Sequence, residues 1–170
     1  MRAKPSLVVN SSPLIALVAG LPDFDALAGI VGKLIVPGEV LAELAAGGHK
    51  DNTAARVEAA SWCEIRPVLP PQTNPLVMTL GRGEAAVIQT ALDDRISLVV
   101  IDEVRGRRAA RLAGLTVIGS LGLLVELHRA GLLPSVEDAI QAMLKKGIFL
   151  APNLVEATLR AAAEARNNGA

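Results

Sequence analysis

Residues 98–102 have the sequence Leu-Val-Val-Ile-Asp, and this stretch decides the fold. Four consecutive apolar side chains, three of them β-branched, are too few for a helix and suit a strand. An uninterrupted apolar run, unlike an alternating one, indicates a strand that is buried on both faces, as in a parallel sheet. Because the run ends in an acid, it also predicts that Asp102 lies at the carboxyl end of that sheet.

Similar short runs alternate with longer segments of helical character along the whole chain. The predicted strands are residues 7–9, 33–36, 63–66, 98–101 and 115–118. The predicted helices are residues 12–20, 23–30, 37–47, 51–60, 83–93, 103–113, 120–131, 135–146 and 153–165. This alternation predicts an α/β protein with three layers, α/β/α, around a central, mainly parallel sheet of about five strands, with extra C-terminal helices.

Length and composition indicate one folded domain. The 170 residues fit a single core, which we assign to residues 1–150, with residues 151–170 as a helical extension packed on the same domain. Apolar residues make up 51% and charged residues 20%, which excludes a disordered chain. With 17 basic and 17 acidic residues, the overall charge points to no particular partner. One cysteine and two distant histidines exclude the common zinc-site patterns.

The amino-terminal apolar runs are too short to cross a bilayer. The run at residues 14–21 has eight residues, and a spanning helix needs about 20. We therefore expect a cytoplasmic protein that has no membrane partner.

Several residues carry the expected signals of helix ends. Ser12 followed by Pro13 predicts a helix with Ser12 as its N-cap and proline in the first position. Gly114 and Gly131 stand where helices should end.

Four polar residues stand where a parallel sheet presents ligands, at or near the carboxyl ends of strands. They are Asn10, Glu43, Glu84 and Asp102. Together they would make a site of hard oxygen donors that suits Mg²⁺ or Mn²⁺. Each also has a purely structural interpretation: Asn10 closes an Asx turn, Glu43 shares a solvated helix face with Glu39, Glu84 complements the macrodipole of its helix, and Asp102 caps the following helix.

A group of arginines follows the acids at residues 102 and 103. Arg105, Arg107, Arg108 and Arg111 form a basic edge beside the acidic site, which suits a phosphodiester substrate. The alternative is a solvated helix whose arginines form salt bridges with neighbouring acids at 93, 94 and 103.

Residues 81–86 match the dinucleotide-binding pattern G-x-G-x-x-[GA], with Asp102 near the end of the next strand. Glu84 would then put a carboxylate at the helix N-terminus where a pyrophosphate should bind, and residues 75–80 make a poor strand. A nucleotide-cofactor protein is therefore the weaker alternative.

Taken in order, these segments resemble the PIN domain, the nuclease fold of many bacterial and archaeal toxins of toxin–antitoxin pairs. The resemblance covers about residues 6–150. It is carried by residues 8–15, 36–44, 83–91, 98–102 and 117–122.

The resemblance implies a metal-dependent ribonuclease of the toxin–antitoxin class. Glu43, Glu84 and Asp102 would hold one or two Mg²⁺ or Mn²⁺ ions, and an activated water would attack the phosphorus. The RNA-contacting set would be Ser12, Arg105, Arg107, Arg108 and Ser120. Such proteins commonly form homodimers and are inhibited by a small cognate antitoxin protein.

The sequence departs from the family at the first acid, where Asn10 stands in place of aspartate. An amide oxygen can ligate Mg²⁺ but brings no charge, so metal affinity and catalysis should fall. The alternative function is therefore a catalytically impaired PIN-like module that binds RNA or a protein partner.

Overall fold

The protein is built on a five-stranded parallel sheet in the order β3-β2-β1-β4-β5. It is seen here in a computed structural model that describes residues 3–47, 52–70 and 74–167. The strands are β1 (Ser6–Val9), β2 (Lys33–Val36), β3 (Cys63–Ile65), β4 (Leu98–Val100) and β5 (Thr116–Ile118). Each of the predicted strands is present, and every pairing between neighbours is parallel.

Helices flank the sheet, so the predicted three-layer α/β/α architecture is confirmed. The α-helices are α1 (Ser11–Gly20), α2 (Gly38–Ala46), α3 (Thr53–Ala59), α4 (Arg82–Asp93), α5 (Val104–Leu112), α6 (Ser120–Arg129), α7 (Val136–Lys145) and α8 (Pro152–Asn167). Residue 51, where the fourth predicted helix was to begin, and residues 168–170 of the extension lie outside the described residues.

The centre of the sheet is buried because its strands are apolar on both faces. Val8 pairs with Ile35 on one side and with Val99 on the other, and all three are almost completely buried. The first strand in sequence is thus the middle strand in space, with helices covering both of its faces. Its carboxyl end, and that of its neighbour β4, lie at the centre of one edge of the sheet.

The first helix begins one residue earlier than predicted, and the prediction of Ser12 as its N-cap is wrong. The cap is Asn10, whose side chain makes no capping hydrogen bond, and Pro13 is the third helical residue. The backbone N–H of Asn10 donates to the carbonyl of Val100 at 3.0 Å, so sheet pairing lasts through residue 10 and the helix starts directly after it. Proline is tolerated there because first-turn N–H groups have no helical partner.

Residues 23–30 do not form an α-helix; Phe24–Gly29 is a 3₁₀ helix. The side chain of Asp23 accepts from the backbone N–H of Asp25, which favours a tight turn over a full helical ladder. Phe24 and Leu27, three residues apart, are both buried, which suits three residues per turn. Phe24 also contacts the ring of Trp62, with centroids 5.1 Å apart.

The two predicted helix stops are confirmed. Gly114 and Gly131 follow α5 and α6 with φ values of +82° and +73°, a conformation that glycine adopts without steric cost.

The last helix, α8, packs on α6 and α7 and buries Thr158, Ala162 and Ala165. The division of the chain at residue 150 stays a prediction. Among the described helices, none is both long enough and apolar enough to cross a membrane.

Candidate active site

The candidate site lies where the chain changes direction across the sheet. From β1 the chain moves to one side, through β2 and β3, and returns to the other side to form β4. The carboxyl ends of β1 and β4 therefore meet at a topological switch point, where open α/β sheets bind ligands. Asn10 follows β1 directly and Asp102 lies two residues beyond β4, so both stand at this point.

Asn10 is buried, at 3% exposure, and its amide is bound on one side only. Its Nδ2 donates to Oε2 of Glu103 at 3.2 Å. Its Oδ1 is buried and has no hydrogen-bond partner among the described residues. Asn10 therefore closes no Asx turn, and a buried amide oxygen is left with unused acceptor capacity.

Glu43 joins three segments of the chain. Its carboxylate accepts from the hydroxyl of Ser11 at 2.8 Å and from the backbone N–H of Gly83 at 2.9 Å. The expected solvated face with Glu39 is absent, because Glu39 is buried and accepts from the backbone N–H of Leu69 at 2.6 Å. Glu43 itself stays accessible to solvent while held by α1 and α4.

Glu84 caps its own helix and also reaches the next one. Its Oε2 accepts from the backbone N–H of Gly81 at 3.3 Å, which satisfies one of the free donors of the first turn of α4. Its Oε1 lies against Gly106 of α5. Glu84 therefore does stabilise the start of its own helix, as one of the two interpretations predicted. Its carboxylate nevertheless lies at the junction of α4 and α5.

Asp102 does not cap the helix that follows it. The N-cap of α5 is Glu103, which makes no side-chain capping bond. Oδ1 of Asp102 instead accepts from the backbone N–H of Ser120, at 2.8 Å, at the start of α6. Burial raises the pKa of Asp102 above its usual range and Glu103 adds to this, while the hydrogen bonds of Ser120 and the charge of Arg107 act in the opposite direction.

Six oxygen-bearing residues lie along these bonds and their neighbouring positions: Asn10 bonds Glu103 beside Asp102, and Glu43 bonds Ser11 and the N–H of Gly83 beside Glu84. We call this set the acidic ring: Asn10, Ser11, Glu43, Glu84, Asp102 and Glu103. Among the described residues, however, no three acidic, histidine or cysteine side chains group closely enough to form a metal site as they stand. The donors are all oxygens, and one of them, Asn10 Oδ1, is an orphaned buried acceptor. This chemistry fits a hard divalent cation.

Of the four predicted arginines, two form hydrogen bonds with backbone carbonyls, and the other two, Arg108 and Arg111, are exposed. Arg107 donates to the carbonyl of Ile101 at 2.8 Å, and Arg105 donates to the carbonyl of Thr79 at 2.7 Å. Within the described part of the chain none of them forms a close salt bridge, and the predicted partner Asp94 pairs with Arg66 instead.

A cavity of about 1180 Å³ opens beside one side of the acidic ring. Its lining includes Ser12, Asp102, Arg107 and Ser120 from the predicted set, together with apolar residues of α6, α8 and the segment before α8. Asn10, Glu43, Glu84, Arg105 and Arg108 do not line it. Glu103 also lines the cavity, so the cavity reaches the acidic ring at Asp102 and Glu103.

Three glycines make room for three of the carboxylates, and the sequence analysis did not identify them. A Cβ at Gly83 would lie 2.5 Å from Glu43 Oε2, at Gly106 2.6 Å from Glu84 Oε1, and at Gly119 2.8 Å from Asp102 Oδ1. Gly83 and Gly106 could have been found from their positions inside predicted helices, because glycine there costs about 1 kcal/mol of helix stability relative to alanine. For Glu103 the sequence predicted only an alternative role in a salt bridge with the arginines, and not a place in the site.

The dinucleotide-binding alternative loses its structural basis. Residues 75–79 form turns, so no strand leads into α4, and the carboxylate of Glu84 occupies the start of that helix.

The parallel sheet with an oxygen-rich site at its switch point defines the class: a three-layer α/β/α protein. A family model described as a PIN domain matches residues 6–164, and the chain belongs to the PIN-domain family. PIN domains generally use divalent metal ions. Comparison with the curated proteins and with the solved structures gives no match.

Proposed function

We propose that this PIN-domain protein is a metal-dependent ribonuclease and the toxin of a toxin–antitoxin pair. The observation that carries the proposal is the acidic ring at the switch point of a PIN fold. Four carboxylates stand there with Arg107 beside them, so the site has an excess of negative charge that a divalent cation would neutralise. A cytoplasmic location, a homodimer and a small antitoxin partner belong to the same proposal.

In this proposal Glu43, Glu84 and Asp102 hold the ion, with Asn10 Oδ1 as a neutral fourth ligand. A bound Mg²⁺ or Mn²⁺ supplies charge that polarises the scissile phosphodiester and acidifies a water. Backbone N–H groups of Gly83 and Ser120 hold the carboxylates of Glu43 and Asp102 at the switch point. Because no three of the described acidic side chains group closely enough as they stand, these carboxylates would move together around a bound ion.

The arginines bind and orient the RNA backbone. Arg107, fixed by the carbonyl of Ile101, presents its guanidinium next to Asp102, where a phosphate at the site would lie. Arg105 and the exposed Arg108 extend this positive charge along α5. Ser12 is exposed at the cavity and completes the RNA-contacting set, whereas Ser120 is buried at 1% exposure and orients Asp102.

The test is cleavage of a mixed RNA substrate with and without Mn²⁺. Asp102→Asn and Glu84→Gln each remove a charged ligand and should lower the cleavage rate by at least about 100-fold. Glu58→Gln, on the exposed face of α3, is the matched control and should cleave at the wild-type rate. Full cleavage by both site variants would defeat the proposal.

The second candidate, a non-catalytic module that binds RNA or a protein, is favoured by the uncharged amide at Asn10. Calorimetric titration of Mn²⁺ into the wild type and Asn10→Asp separates the two. Binding with cleavage in the wild type supports the nuclease. If only Asn10→Asp binds Mn²⁺ and cleaves RNA, the wild type is a nuclease fold without catalytic activity, and the second candidate is established.

A further inference from the structure

The side chain of Glu103 lies where the negative charge of the first strand is missing. Asn10 and Glu103 are joined by the bond from Nδ2 to Oε2, 3.2 Å long, across 93 residues of sequence. The pair carries one negative charge, the same as a single aspartate at position 10 would carry alone. That charge lies on Glu103 at the start of α5, which is one hydrogen bond away from Asn10 at the end of β1.

Glu103 also determines which atom of the amide faces away from it. A carboxylate oxygen only accepts hydrogen bonds, so the NH₂ group of Asn10 must face Glu103 and the carbonyl oxygen must face the other way. With the amide reversed, two acceptors would stand opposite each other. The orientation of Asn10 Oδ1 is therefore set by Glu103.

The oxygen that is oriented in this way has no partner of its own. Oδ1 of Asn10 is buried with a side chain at 3% exposure, and no described donor reaches it. A buried acceptor without a donor is costly unless something else satisfies it. It sits on the same amide carbon as the nitrogen that binds Glu103, so this amide group alone would separate an ion at the oxygen from that carboxylate.

We infer that Glu103 is a positioning residue that compensates for Asn10, orienting Oδ1 as a metal ligand and supplying the charge that an amide lacks. This inference rests on the proposed metal-dependent function. The metal-binding set of this chain is then Glu43, Glu84 and Asp102 together with the Asn10–Glu103 pair.

The experiment is a calorimetric titration of Mn²⁺ into metal-free protein, with the thermal shift on saturation as a second readout. Glu103→Gln keeps an acceptor for Asn10 and removes the charge, so its affinity should fall by about 10-fold or more. The double variant Asn10→Asp with Glu103→Gln returns the charge to the first strand. Its affinity should recover to within about 3-fold of the wild type.

The outcomes separate the inference from the proposed function. If the wild type binds Mn²⁺ and Glu103→Gln binds it equally well, Glu103 has no part in the site and the inference is overturned. It is also overturned if both variants stay weak while circular dichroism shows them folded, because a structural role for Glu103 would not be rescued by a charge at position 10. If the wild type itself binds no Mn²⁺, it is the proposed function that fails.

Discussion

Gly83 gives the sharpest test of how the carboxylates are held. Gly83→Ala would place a methyl group 2.5 and 2.7 Å from the two carboxylate oxygens of Glu43 and 2.8 Å from its Cδ. Ordinary contact begins at 3.4 Å, so the carboxylate has to move by about 0.9 Å. The movement breaks or stretches its hydrogen bonds with Ser11 and with the N–H of Gly83.

The expected result is a loss of activity without a loss of stability. A misplacement of about 1 Å in a catalytic group costs about 100-fold in rate, and we expect a loss of this size in Mn²⁺-dependent RNA cleavage. Alanine stabilises a helix by up to about 1 kcal/mol over glycine, which offsets the weakened hydrogen bonds. The free energy of unfolding should therefore change by no more than about 1 kcal/mol.

The assay combines initial cleavage rates with urea unfolding of the same preparations. Gly47→Ala is the matched control, because a Cβ there meets no atom of the described residues closer than 3.5 Å. It should leave both quantities unchanged. Cleavage by Gly83→Ala at the wild-type rate would refute the idea that the placement of Glu43 matters. A decrease of several kcal/mol in the free energy of unfolding would show that Gly83 is needed for packing of the core instead.

Three further measurements probe other groups. Burial raises the pKa of Asp102, so protonation of this carboxyl stabilises the folded protein and that stabilisation is lost as pH rises through the folded pKa. Asp102→Asn lacks this effect, so in EDTA its unfolding free energy minus that of the wild type should increase from about pH 3 to about pH 7; a constant difference would contradict this. Arg108→Gln removes an exposed charge, so it should weaken RNA binding and reduce the slope of the logarithm of the binding constant against log salt by about 0.7. The control Arg160→Gln, exposed on α8, should change neither, and equal slopes in the two variants would show that Arg108 does not contact RNA. Burial, with Asp25 nearby, raises the pKa of Cys63 to about 12, so about one thiol in 10,000 is ionised at about pH 8. Alkylation of Cys63 should therefore require unfolding, and rapid labelling of the native protein would contradict this.

The strands could be predicted from sequence because each is a short apolar run whose burial depends on little else. The run at residues 98–101 needs two covered faces wherever it lies, and a parallel sheet supplies them. The start of the first helix was less predictable. Ser12 before Pro13 is a good local cap signal, yet the pairing of Asn10 with Val100 sets the start of α1, and that contact is invisible in a local pattern.

The acids of the site were found in sequence because the ends of parallel strands are predictable places. Their interactions were not, because they depend on partners far along the chain. Glu39 and Glu43 stand four residues apart on one helix, yet Glu39 turns into the protein to bind Leu69 while Glu43 reaches Ser11 and Gly83. Only the packing of α2 against its neighbours separates them.

The bonds that build the acidic ring have a consequence for how the protein is made. They join residues that are 18, 32, 40 and 93 positions apart in sequence, and the last partner along the chain is Ser120. A ribosome releases these segments in order, so the bond that holds Asp102 cannot form before the start of α6 has left the exit tunnel. An amino-terminal fragment that ends before residue 120 can contain all six residues of the ring, yet it lacks the backbone donor that holds Asp102.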